Sequence, residues 1–351
     1  MAQIFYLIKR VTRLIIKPFK EKIQVKSLIK EFVLLVKQFL HYNISSLPRS
    51  IHMELTSKCN LACKACYRTG VLKEYMNLNT TMTLSDLKKL IGKYDPKKVK
   101  SIVLSGGENL LHPDFFEALD ILRDKFTKSL LLLATNGVIL SNDKNKLEKV
   151  CKSSINSIQV SLHGATQETI DLLQKGINLQ KVLEIIEFIT KNSKINVSVN
   201  YVIQEENVNE ISKFLDIVSE FNVKDVSLHP MNYAGHREDA VNYIDLWEKM
   251  NLEKILSNAY KKAKFLGINI WPFSTMCTSV FDVDVLTASG DVLPCWGQYL
   301  VKKYKIGNVF QQKPDEIRKS KEIKELKKSI LSGRSNNEMC NSCWANGKKY
   351  I

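Results

Sequence analysis

Between residues 51 and 229, six short apolar runs alternate with stretches of helical periodicity. The runs fall at 51–55, 101–104, 130–134, 157–162, 196–203 and 226–229, and the helical patterns at 83–94, 113–126, 143–152, 179–192 and 207–221. Strand–helix alternation of this kind indicates an α/β fold with a parallel sheet, because parallel strands must be joined by crossovers. Six units are too few for the eight of a closed barrel. In such folds chemistry gathers at the C-terminal ends of the strands, so the residues just past each run are the ones to read.

Past the first run stands Cys59-Asn60-Leu61-Ala62-Cys63-Lys64-Ala65-Cys66. Three cysteines are one short of a closed zinc site. They are the right number for a [4Fe–4S] cluster that leaves one iron free for a small molecule. The bland alternatives are three ordinary thiols, or a zinc site completed from elsewhere. Past the second run comes Ser105-Gly106-Gly107-Glu108, ahead of a helical pattern.

These two segments together resemble the radical SAM superfamily, over about residues 50–230. The resemblance implies a partial (β/α)6 TIM-type barrel, with an N-terminal helical extension and a small C-terminal twitch-type cysteine domain. It implies that Cys59, Cys63 and Cys66 hold a cluster whose fourth iron chelates S-adenosylmethionine (SAM). Gly106, Gly107 and Glu108 would receive the SAM amino group, and Ser161 and Asn200 would lie where the family contacts its ribose or carboxylate. The sequence departs from the family at Asn109, where proline is usual, and at Ala65, where an aromatic often touches adenine. Tyr67, two places after Ala65, is the expected substitute. Turn or strand packing is the plainer role for Ser161 and Asn200, and helix capping for Glu108.

A second set, Cys277, Cys295, Cys340 and Cys343, follows. Ala288-Ser289-Gly290-Asp291 reads as a hairpin turn between 283–287 and 292–293, which puts Cys295 just past the second strand. A basic helical stretch at 315–332 then leads to the terminal pair. Four thiolates can close a structural zinc site or ligate a [4Fe–4S] cluster fully. The layout resembles the twitch domain, a shortened SPASM domain, which implies an auxiliary [4Fe–4S] cluster with no open iron. The cofactors expected are therefore two [4Fe–4S] clusters and SAM.

With seven of eight cysteines in two ligand-like sets, the chain is no disulfide scaffold, and a reducing, cytoplasmic setting is expected. The formal charge of +16 is uneven: residues 1–50 carry ten Lys and Arg against Glu21 and Glu31, half of the net charge. Ile4, Leu7, Ile8, Val11, Leu14 and Ile15 share one face of a basic amphipathic helix that stops near Pro18, and a second helix is expected at 24–41. Two readings stand: an anchor on an anionic membrane surface, or helices packed on the core. No apolar stretch is long enough to span a bilayer. The basic charge suits an acidic electron donor of flavodoxin or ferredoxin type; nucleic acid is not expected, since no binding module is legible.

The domains expected are 1–48, the helical extension; 49–232, the radical SAM core; 233–272, a helical bridge; and 273–351, the auxiliary iron–sulfur domain. By resemblance, the function is reductive SAM cleavage and hydrogen abstraction from a small anionic or sugar-like metabolite, leading to dehydrogenation or another carbon-centred modification. The alternatives are maturation of a ribosomally made peptide, against which the short N-terminal extension leaves no room for a peptide-recognition domain, and a non-catalytic metal-binding scaffold. His163 and His229, at strand ends, are further candidates to reach substrate; His52 and His112 read as structural, and Cys151 as a small buried hydrophobe.

Overall fold

The computed structural model describes residues 48–66, 68–69, 78–231, 249–271, 277, 279–295 and 305–331. The two N-terminal helices expected from the sequence, and Tyr67, Cys340 and Cys343, lie outside the described residues.

The core runs β1 (Ser50–Met53), α1 (Leu84–Gly92), β2 (Ser101–Leu104), α2 (Phe115–Lys125), β3 (Leu130–Thr135), α3 (Val138–Asn142), α4 (Lys144–Lys152) and β4 (Ser157–Ser161). It continues through α5 (Gln167–Leu173), α6 (Leu179–Asn192), β5 (Asn196–Ile203), α7 (Ile211–Glu220), β6 (Asp225–Pro230), α8 (Leu252–Leu266) and β7 (Asn269–Trp271). The C-terminal part adds α9 (Ser279–Asp282), β8 (Val283–Leu286), β9 (Asp291–Leu293), β10 (Gly307–Asn308), α10 (Pro314–Arg318) and α11 (Lys321–Leu331). The described strands make one sheet in the order β10-β9-β8-β1-β2-β3-β4-β5-β6-β7. From β8 through β7 every pairing is parallel; β9 and β10 close the other edge antiparallel.

The crossover helices form where the sequence pattern places them, and their starts are chemically marked. Thr83, Asp143, Thr166 and Asn178 each accept a backbone N–H from the first turn of α1, α4, α5 and α6. Each such cap contributes about 1 kcal/mol. In α6, Val182, Leu183, Ile185, Ile186 and Ile189 are buried, a stripe at i, i+3, i+4 and i+7 spacing. Burial of each large side chain contributes about 1.5–3 kcal/mol, so the packed face rather than intrinsic propensity holds the helix.

Strand alternation divides the sheet into two chemistries. Ile158, Val160, Val199, Tyr201, Val226 and Leu228 are fully or nearly fully buried in the main core. Gln159, Ser161, Ser198, Asn200, Ser227 and His229 occupy the intervening positions and share the opposite face. The Gln159 Nε2–H reaches Ser227 Oγ across β5 at 3.5 Å, as side chains on one face must to meet.

Two features were not legible beforehand. The stretch read as a helical bridge supplies α8 and a further parallel strand, β7, of only three residues, too short to show a period. The expected hairpin forms, with Gly290 at φ +78°, but its first strand also pairs in parallel with β1. The C-terminal module is thus continuous with the core sheet at the strand that leads into the first cysteines.

Candidate active site

The loop after β1 is tied down on several sides. The Thr56 and Ser57 hydroxyls bond to the Thr80 carbonyl, and Thr56 also meets Thr81 Oγ1. The Asn60 side-chain oxygen Oδ1 accepts Asn136 Nδ2–H from the end of β3 at 2.9 Å. The Lys64 N–H donates to Leu173 O at the end of α5, and its ammonium pairs with Glu206 past β5. The Thr69 hydroxyl reaches the carbonyls of Cys63 and Cys66, at 2.8 and 2.9 Å. Ala65 packs with Val202 and Met231 at the ends of β5 and β6. The cysteine loop therefore spans the C-terminal end of the sheet, from β3 to β6.

Cys59, Cys63 and Cys66 are free thiols of intermediate exposure. Burial pushes all three up, Cys63 to about 12, and the neighbouring thiols Cys66 and Cys59 add to the rise at Cys63. Thiols that resist ionisation are poor nucleophiles, and a bound metal's positive charge is what would make them thiolates. Arg68, just past the loop, favours the thiolate at Cys59 and Cys66, and its Nη1 is buried without a hydrogen-bond partner. Among the described residues no three His, Cys, Asp or Glu side chains gather tightly enough for a single ion. Three mutually interacting thiols beside an under-satisfied guanidinium suit a larger anionic cluster, so the residues present fit the group.

The Gly-Gly-Glu strip lies against this loop. Gly106 has φ +129°, a conformation reserved for glycine. A Cβ on Gly107 would fall 2.3 Å from Lys58 O and 2.6 Å from Thr56 O, so only glycine permits this approach. The Glu108 N–H donates to Lys58 O at 2.8 Å. Its carboxylate turns into the protein: Oε1 accepts from Leu110 N–H, and Oε2 from the Thr135 hydroxyl and Asn136 N–H, at 3.3, 3.0 and 2.9 Å. Glu108 caps the 3-10 turn Asn109–Leu111 and straps it to β3, which leaves little acceptor capacity for a ligand amine. The Asn109 side chain accepts Leu55 N–H at 2.8 Å, a bond that the proline usual in the family has no side-chain oxygen to make.

Two acids share this region. Burial pushes both Glu108 and Glu54 up to about 7, against the hydrogen bonds that favour their carboxylates. The folded chain therefore holds these protons more tightly than the unfolded chain does, and ionisation opposes folding as pH rises from about 4.5 to about 7. The buried imidazoles of His52 and His163, held down to about 3 and 4, act in the opposite sense as pH falls below about 6.5. A difference measurement isolates one group. Glu108→Gln is expected to weaken the cap at low pH and to remove the Glu108 share of the decline above it, so variant and wild-type melting temperatures converge between pH 5 and 8. SAM titration of the same variant separates the roles. A tenfold fall in SAM affinity at an unchanged melting temperature would return the carboxylate to the SAM amino group.

Ser161 and Asn200 stand side by side in register on the inner face, with Gln174 Nε2–H donating to Ser161 O. His163 Nδ1 accepts Val202 N–H at 3.2 Å, a strand-end tie, and His229 lies opposite Val202. His112 is structural: Nε2 bonds Met82 O and Nδ1 accepts Asp114 N–H. Cys151 is partly buried against the core. Cys277 and Cys295 pack against one apolar cluster, Val280, Phe281, Ile323 and Ile330, which brings the two described members of the second set to a common wall. Sequence reasoning passed over Glu54, Asn60, Arg68 and Asn136 as site residues. Asn60, inside the cysteine motif, and the single acid Glu54, inside the first apolar run, were the available signals.

Comparison with known proteins agrees with this arrangement. A family model described as the radical SAM superfamily matches residues 53–218, and one described as an iron–sulfur cluster-binding domain matches 277–344. Residues 53–218 are thus a radical SAM domain. The chain's cofactors are [4Fe–4S] clusters and SAM. A probable GTP 3′,8-cyclase of Methanocaldococcus jannaschii is 28% identical over 168 residues, 48% of this chain and 54% of that protein. The subtilosin biosynthesis protein AlbA of Bacillus subtilis is 26% identical over 291 residues, 80% of this chain and 62% of AlbA. The chain thus spans about half to two thirds of the length of these curated relatives. SuiB of Streptococcus suis, solved with SAM bound, shares the fold at a TM-score of 0.64 and 17% identity, over 93% of this chain and 75% of SuiB. Among the described residues no helix is long and apolar enough to cross a membrane.

Proposed function

We propose that this chain is a radical SAM enzyme that takes a hydrogen atom from an uncharged, hydrogen-bonding substrate held against the inner face of the sheet, in a dehydrogenation or related carbon-centred modification. The observation that carries this reading is the lining. Gln159, Ser161, Ser198, Asn200, Ser227 and His229 offer hydroxyl, amide and imidazole groups, and the inward positions of β1–β6 include no Lys or Arg among the described residues. Phosphate-rich substrates such as GTP call for cationic clamps. A polyol or a peptide backbone calls for neutral donors and acceptors.

In this reading Cys59, Cys63 and Cys66 hold the SAM-binding cluster, and Cys277, Cys295, Cys340 and Cys343 the auxiliary one. When bound, SAM and the reduced cluster supply a 5′-deoxyadenosyl radical able to abstract a substrate hydrogen. Gly106 and Gly107 would offer backbone to the methionine moiety, Gly107 by letting the strip lie against the cysteine loop; Ser161 and Asn200 would serve its ribose or carboxylate, and Tyr67 would serve its adenine. The cysteine loop, strapped to β3, α5 and β6, covers the strand ends and keeps water from the reacting centre. Reducing equivalents come from an acidic donor of flavodoxin or ferredoxin type, and the basic segment 1–48 serves that donor or an anionic membrane surface.

Anaerobically reconstituted protein is expected to hold about eight irons per chain by cluster stoichiometry and to release 5′-deoxyadenosine from SAM. Replacing Cys59, Cys63 and Cys66 together by alanine should leave about four irons and no cleavage. Roughly four irons and one zinc in the wild type would exclude the auxiliary cluster. Loss of two hydrogens from a small metabolite would identify the substrate class.

The alignment with AlbA favours a second reading, modification of a ribosomally made peptide, because it covers 80% of this chain and so exceeds the core domain alone. Incubation with short peptides encoded beside the gene, read by mass change, separates the two.

A further inference from the structure

Glu54 follows β1 directly, and it is 1% exposed. Its two carboxylate oxygens serve two different modules. Oε1 accepts the Gly107 N–H at 3.2 Å, and Oε2 accepts the Ala288 N–H at 3.2 Å. Gly107 belongs to the strip beside the proposed SAM site, and Ala288 opens the hairpin turn that leads through β9 to Cys295. The Glu54 N–H meanwhile donates to Leu286 O at 2.9 Å, one more bond across the β1–β8 seam. Arg68 is the nearby countercharge.

An isolated acid is among the costliest side chains to bury, and an apolar residue would pack in its place. What an apolar residue could not do is satisfy two buried N–H groups that arrive from opposite directions. A glutamine could satisfy only one, since its amide nitrogen would present hydrogens to the other.

We infer that Glu54 is a positioning residue, a two-headed tie that sets the Gly106–Gly107 strip and the first hairpin of the C-terminal module in one register. Resting on the proposed function, the inference places the geometry of SAM binding partly under the control of the C-terminal module. The SAM-facing backbone strip and the hairpin carrying Cys295 move together or not at all.

The test uses the full chain, reconstituted anaerobically, as wild type and Glu54→Gln. Amide hydrogen exchange is followed in the peptides containing Gly107 and Ala288, together with iron content, SAM affinity, and the change that SAM makes in the electron paramagnetic resonance signal of the reduced cluster. Faster exchange at both peptides is expected, with iron content retained, SAM affinity lowered about tenfold and the SAM-induced spectral change reduced. A brace with no bearing on the site would lower the melting temperature and leave SAM affinity and spectrum at wild-type values, and that result would overturn the inference. So would unchanged exchange at either peptide. Should the wild type bind no SAM at all, the proposed function fails by itself, while exchange at the two peptides still decides whether Glu54 joins the modules.

Discussion

Asp284→Ala is expected to lower the unfolding free energy by about 3–5 kcal/mol. Asp284, on β8, and Arg318, at the end of α10, have side chains 3% and 4% exposed, with Arg318 Nη1 at 2.5 Å from Asp284 Oδ1. The guanidinium also donates to the carbonyls of Val283 and Phe281. The other carboxylate oxygen accepts the Tyr94 hydroxyl at 2.9 Å, and Tyr94 comes from the core just past α1. Burial, with the Asp284 charge beside it, pushes the Tyr94 phenol well above its ordinary range, so the hydroxyl stays a donor. Removing Asp284 strands a buried guanidinium and a buried phenol at once. A loss of that size is a large share of the roughly 5–15 kcal/mol that holds a domain. Urea unfolding measures it, and the double replacement Asp284→Leu with Arg318→Met should recover the part due to the stranded guanidinium, while the Tyr94 hydroxyl still lacks its acceptor. A single-variant loss below about 1 kcal/mol, the range of exposed pairs, would mean that the pair is open to solvent.

Gly107→Ala is expected to damage folding and cofactor loading together. The added Cβ would stand 2.3 Å from Lys58 O, 2.6 Å from Thr56 O and 2.8 Å from Ser57 C. All three are backbone atoms of the segment leading into Cys59, and no side-chain rotation relieves the overlap. Overpacking of a rigid site costs about 1–3 kcal/mol or more. Here the segment that must move carries the cysteine loop, so iron content after reconstitution should fall along with the melting temperature. Gly92→Ala is the control, since a Cβ there meets nothing within 4 Å and the helix gains an alanine. Full iron loading in Gly107→Ala would separate the strip from the cysteine loop.

The crossover helices were legible because burial imprints a 3.6-residue period and caps are local chemistry; α4 and α6 fall on the expected segments. The short α5, two turns between Gly164 and Gly176, had too few residues to declare a face. Glu108 shows a different limit. Its place after the glycines was plain in the chain, but the direction of its carboxylate depends on Thr135 and Asn136, which β3 brings from another unit. Arg68 and Asn60 gain their meaning in the same way, from what stands opposite them.

By itself the sequence determined the α/β alternation, the two cysteine sets and the glycine strip, since strand period, ligand number and glycine's backbone freedom are written within a few neighbouring residues. Only the tertiary structure decided that β8 joins the sheet beside β1, that the described inward positions of β1–β6 carry no Lys or Arg, and that Glu54 reaches Ala288, 234 residues away. Contacts of that span leave no periodic mark in the chain. They exist because the packed sheet has already met the entropy of closing the loop between them, after which a buried carboxylate can choose its two donors.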